Sequence, residues 1–111
     1  MQIEFLEEQE RLIARPRGQM DATDGIDFAS AVQERLQPET KSVTIDLDGL
    51  DLVAFGGIRA ILRLARSLKS GERNLDFVGG GKSVREALDQ AGLDDFFPFT
   101  PPYLSNRGTP R

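Results

Sequence analysis

Residues 42–68 read Ser42-Val43-Thr44-Ile45-Asp46-Leu47, then Asp48-Gly49-Leu50-Asp51-Leu52-Val53-Ala54, then Phe55-Gly56-Gly57 and an apolar-basic run to Leu68. In the first segment Val43, Ile45 and Leu47 alternate with polar neighbours, the period of a half-buried strand. After the glycines, Ile58, Ile61, Leu62, Ala65 and Leu68 recur at steps of three and four, which predicts a helix with Ile61 and Leu62 against a sheet. Arg59, Arg63, Arg66 and Lys69 fall on the other side of that helix. Between strand and helix, residues 48–54 are expected to form a loop. A strand that feeds a helix through a glycine turn is half of a βαβ unit, and α/β folds tend to place their function at such turns. Residues 54–59 are therefore the first place to look for a site.

The rest of the chain supplies partners for this unit. Upstream, Ile3 and Phe5 alternate with polar residues, Glu8-Gln9-Glu10 suits a hairpin connection, and residues 11–15 form a second strand stopping before Pro16. Gly18-Gln19-Met20-Asp21 is expected to break that strand. Thr23 or Asp24 would then cap a helix that buries Ile26, Phe28, Ala29, Val32 and Leu36, with Gly25 a weak point and Pro38 beyond its end. Downstream, Ser70-Gly71 ends the central helix, and residues 74–78 form a strand through Leu75, Phe77 and Val78. After the turn Gly79-Gly80-Gly81, a third helix capped by Ser83 carries Val84, Ala87, Leu88 and Ala91 along one stripe. Leu93, Phe96, Phe97 and Phe99 suggest a last edge strand interrupted by Pro98. Strands alternating with helices after an opening hairpin predict an α/β fold: a mixed, largely parallel sheet of about four to five strands with about three helices packed on it.

Composition narrows the chemistry. The 111 residues suit one domain, taken as 1–100, followed by a flexible tail over 101–111. No apolar run approaches the roughly 20 residues of a membrane span, and residues 1–8 lack the pattern of a secretory signal, so a cytoplasmic protein is expected. With 0 Cys and 0 His, disulfides, thiolate chemistry and the usual metal ligand and general base are excluded. No metal, cofactor or catalytic residue is expected. A net charge of −4 disfavours nucleic acid. Gly79-Gly80-Gly81-Lys82-Ser83 matches the end of a phosphate-binding loop, but the first glycine of that motif would fall on Asp76 within a strand. A turn before a helix is the preferred reading, and a small nucleotide-binding protein is the remote alternative.

Three segments carry a family resemblance: Gly18-Gln19-Met20-Asp21, Ile45-Asp46-Leu47-Asp48-Gly49-Leu50 and Ala91-Gly92-Leu93-Asp94-Asp95-Phe96-Phe97. Their order and content resemble the STAS domain, the sulfate transporter and anti-sigma factor antagonist domain, in its stand-alone bacterial form. The resemblance implies a non-catalytic module that regulates transcription or signalling by binding an anti-sigma factor with serine kinase activity, or another STAS-type protein. A homodimer is left open, and a subunit of a transporter, lipid-trafficking or signalling assembly is the alternative. In the family, phosphorylation of a serine in the turn before the central helix abolishes binding. The turn commonly reads Asp-Ser-Ser-Gly or Asp-Ser-Thr-Gly, and here it reads Ala54-Phe55-Gly56-Gly57. The acceptor position is Phe55, which has no hydroxyl, so the resemblance implies binding without the switch. The partner-binding residues it implies are Asp21, Ala54, Phe55, Gly56, Gly57 and Arg59. Phe55 has two readings, a core residue or an exposed anchor, and the glycines would let a partner's backbone come close.

Overall fold

The computed structural model describes residues 1–93. The last strand expected around Phe96, Phe97 and Phe99 and the tail over 101–111 lie outside the described residues. Within them run β1 (Gln2–Glu8), β2 (Arg11–Met20), α1 (Ala22–Arg35), β3 (Ser42–Asp46), β4 (Leu50–Val53), α2 (Phe55–Ser70), β5 (Asn74–Val78) and α3 (Lys82–Gln90). The sheet is five-stranded and mixed, as the alternation of strands and helices requires. β1 pairs antiparallel with β2 through the hairpin, and β3 pairs parallel with both β2 and β5.

Strand β2 differs from expectation in length. It does not stop at Pro16 but continues to Met20, pairing with β3 over Arg11 to Ala14 and with β4 over Gly18 to Met20 along one edge. Proline is tolerated there for a reason of direction. The Gly18 amide donates to the Gly49 carbonyl at 2.9 Å, so even-numbered residues of β2 turn their backbone groups to the β3–β4 edge. Pro16 meets that edge in the break between β3 and β4, where no N–H is needed. Gly18, at φ 101°, absorbs the register shift that follows, a conformation side chains with a Cβ rarely adopt. β4 itself occupies part of the expected loop 48–54. Its burial runs buried, exposed, exposed, buried, so it shows no alternation to read.

One face of the sheet holds the core. Leu12 and Ala14 of β2 lie beside Val43 and Ile45 of β3, with Phe77 of β5 beyond, all fully buried. α1 contributes Phe28 and Val32, α2 contributes Ile61, Leu64 and Leu68, and α3 contributes Val84 and Leu88. The opposite face is mixed: Arg15 reaches Glu4 at 3.8 Å and Asp46 at 3.3 Å, the Thr44 hydroxyl donates to Asp76 at 2.7 Å, and Leu6, Ile13 and Val78 lie among them.

Two helical faces are turned from the expected angle. In α2 the buried stripe is Gly57, Ala60, Ile61, Leu64, Ala65 and Leu68, while Leu62 and Ile58 are half-buried. The stripe swings toward Gly57 and Ala60 because α1 packs there. In α1 the buried residues are Gly25, Phe28 and Val32, and Ile26, expected in the core, is 59% exposed. Gly25 is no weak point: a methyl in its place would come within 2.9 Å of both Ala60 Cβ and Gly57 Cα, so it sets how closely the helices approach.

Candidate functional site

Helices α1 and α2 begin side by side. The Ala54 amide donates to the Met20 carbonyl at 2.8 Å, which ties the start of α2 to the end of β2, one residue before Asp21. Asp21, not Thr23 or Asp24, is the N-cap of α1. Its carboxylate accepts the Asp24 amide at 2.8 Å, and the Asp24 carboxylate accepts the Asp21 amide at 3.2 Å, a reciprocal capping box. Asp21 is exposed yet already serves as a local backbone acceptor.

That bond has a pH signature. The Asp24 backbone N–H on its carboxylate holds Asp21 below the ordinary carboxylate range. A carboxylate with a lowered folded pKa stabilises the fold above its unfolded pKa, and that contribution is lost as pH falls through the folded value. Asp21→Ala should therefore cost thermal stability at neutral pH, with the difference from the parent shrinking in acid below the usual carboxylate range. A gap that is constant or widens as pH falls would contradict it.

At the start of α2, Ala54 is the N-cap and offers no side-chain oxygen to the first amides. Phe55 follows as the first helical residue and is 76% exposed, which removes the core reading. Its ring stands in water beside a helix start. Gly56 and Gly57 work inward instead. A methyl on Gly56 would overlap the Ala22 methyl, and one on Gly57 would sit 2.7 Å from the Met20 carbonyl oxygen. The backbone that comes close is the chain's own, and Gly57 is buried beneath it. Arg59 is exposed, four residues after Phe55 on the same helical face, and Arg63 is one turn further. The structure thus brings Asp21, Ala54, Phe55, Gly56 and Arg59 to one end of the helix pair and puts Gly57 under them.

Sequence reasoning did not mark the groove that continues from this end. Ala22, Ile26 and Ala29 of α1 face Gly56, Ala60 and the two arginines of α2 across about 410 Å³. The signal was available in the small residues Ala22, Gly25, Gly56, Gly57 and Ala60, which only the pairing of the two helices makes meaningful.

The glycine loop before α3 is a held turn. The Gly80 amide donates to Asp48 Oδ1 at 2.8 Å, and Arg85 donates to the Gly79 carbonyl at 2.9 Å. The Gly80 amide is thereby already paired with a carboxylate of the chain itself. Helix α3 starts at Lys82 with Gly81 as N-cap, and Ser83 makes no capping bond. Asp76 lies in β5, where the phosphate-loop motif needs its first glycine. Among the described residues there is no His, Cys, Asp and Glu group able to hold a metal ion, and no helix is long and apolar enough to cross a membrane.

Comparison with known proteins bears on the whole frame. No curated protein sequence matches the chain. Among solved structures, an anti-sigma factor antagonist from Mycobacterium paratuberculosis superposes with a TM-score of 0.74 at 14% identity, covering 99% of this chain and 94% of that one. The Bacillus cell fate determinant SpoIIAA in its phosphorylated form gives 0.70 at 14% identity, over 97% and 100%. Mglu gives 0.65 at 16% identity over 71% of this chain, which spans 20% of Mglu's length. These likenesses are of fold. The family model described as the STAS domain matches residues 2–105, and the chain accordingly belongs to the STAS domain family.

Proposed function

We propose that the chain is a non-catalytic, cytoplasmic interaction module of the anti-sigma factor antagonist kind, which regulates transcription or signalling by binding a serine-kinase-type anti-sigma factor or another STAS-type protein. The observation that carries this reading is Phe55. It stands at the position where the family places its phosphoacceptor, 76% exposed, at the start of a helix whose next two residues fasten it to α1. An exposed aromatic ring next to an arginine has the composition of an interface centre. Asp21, Ala54, Gly56 and Arg59 would surround it in the contact, and buried Gly57 would support them from below.

Phosphate added at such a turn acts by repulsion and desolvation against the partner. Phe55 cannot accept it, so binding is constitutive and set by concentration. Incubation with the anti-sigma-type serine kinases of the source organism and ATP should leave the protein's mass unchanged, while the complex survives in the presence of ATP. Stoichiometric phosphate on Thr44 or any serine, or dissociation driven by ATP, would overturn the reading.

A further inference from the structure

The basic side chains of α2 stand out against the charge of the chain. The protein carries a net −4, yet α2 contains Arg59, Arg63, Arg66 and Lys69 with no acidic residue. All four are exposed, and among the described residues none of them enters an ion pair. Charge rows on helices are commonly just solvated. Two of these cations, however, wall the groove between α1 and α2, and the α1 wall opposite them offers only apolar and uncharged polar side chains. The groove therefore has an apolar floor, two cations along its α2 side and no charged side chain among the residues that line its α1 side.

Its ends are defined. At one end Ala22 and Gly56 close against each other and Phe55 projects beyond them; at the other, Gln33 Nε2 donates to Ser67 Oγ at 3.2 Å. From Ala22 to Gln33 the groove runs roughly three helical turns. Ile26 stands 59% exposed on its wall, a large apolar side chain left uncovered. We infer that this groove receives an acidic amphipathic helix of the partner. One apolar row of that helix packs on Ile26, Ala29 and Ala60, and carboxylates one turn apart pair with Arg59 and Arg63, which are themselves one turn apart. The mode is helix-in-groove recognition with charge complementarity fixing the partner's sign. This rests on the reading that the Phe55 end of the helix pair is the partner-binding face, and it extends that face along the groove.

The test uses the full chain, isotope-labelled, titrated with a stapled 18-residue helical peptide bearing leucines on one face and glutamates beside them. A twin with lysine for each glutamate and a twin broken by a central proline serve as comparisons. The acidic helix should give saturable amide shifts confined to residues 22–33 and 55–63. Affinity should fall at least tenfold for either twin, and at least tenfold in the double variant Arg59→Glu, Arg63→Glu, whose circular dichroism matches the parent. Absence of saturation, equal binding of either twin, or shifts centred elsewhere would overturn the inference. Kinase binding separates it from the reading beneath it. Loss in Phe55→Asp with retention in Arg63→Glu, a position that lines the groove but is not part of the turn contact, sinks the groove and keeps the turn. Retention in Phe55→Asp, with the peptide still saturating the groove, sinks the turn and keeps the groove.

Discussion

Leu64→Ala is expected to lose about 2–5 kcal/mol of folding free energy, while Leu62→Ala, two residues away, loses no more than about 1.5 kcal/mol. Leu64 is 1% exposed and lies within the core cluster, whereas Leu62 only flanks it. Truncating Leu64 removes methyl groups from water-free packing and leaves a cavity inside the core cluster, which cannot collapse freely. Around Leu62 the removed volume opens toward solvent, so the cavity contribution is small. A domain has about 5–15 kcal/mol of stability in all, so the first variant should lose a large share of it. Urea titrations of the two variants decide the matter. Equal losses, or a larger loss at position 62, would show that α2 is rotated from its position here.

Truncation of Phe55 should separate binding from folding. With its ring 76% exposed, Phe55→Ala leaves the melting temperature nearly unchanged, yet partner affinity falls by about 2 kcal/mol or more, the scale of an interface hot spot. Phe55→Asp sharpens the contrast. The first turn of α2 contains no acidic residue and its N-cap makes no side-chain bond, so a carboxylate there favours the helix by about 0.3–1 kcal/mol through the helix dipole. The same carboxylate must be stripped of water to enter an apolar partner pocket. The expected result is a folded protein, at least as stable as the parent, that no longer holds its partner. Calorimetry on the complex and a thermal melt of the free protein give both readings. A variant that binds as tightly as the parent would remove the turn from the site.

The parts of this structure legible in the sequence are those in which one local period decides the outcome. Ile3 and Phe5, Val43 and Ile45, and the stripe Val84 and Leu88 each fall where their spacing places them. The parts that were not legible depend on a second element. α2 is apolar at Ile58, Ile61, Leu62, Leu64 and Leu68, enough to support more than one buried face, and only the approach of α1 at Gly25 selects among them. β4 has four residues and no alternation, and it is a strand because β2 continues past Pro16 to meet it. Of the residues singled out for partner contact, the turn was marked by its departure from the family pattern. The inward role of Gly56 and Gly57 required knowing what lies beneath them. An isoleucine at helical spacing is normally buried, and the exposure of Ile26 emerges only once Gly25, one residue earlier, is seen to face α2.

The outermost strand β1 has a consequence for self-association. Among the described residues it stands at the end of the strand order, with β2 on one side only, so its other edge offers unpaired backbone groups. Such edges recruit further strands and seed aggregates unless something discourages them. β1 carries Glu4, Glu7 and Glu8 within its seven residues. A second copy laying its own β1 alongside would bring three carboxylates from each copy onto one short ladder, where registers that set them opposite one another are disfavoured, although Glu4 and Glu7 are partly offset by Arg15 and Arg35. Apart from Leu6, the residues of β1 that turn away from the core are polar or acidic, so this edge discourages a strand from a second copy by charge rather than by being covered.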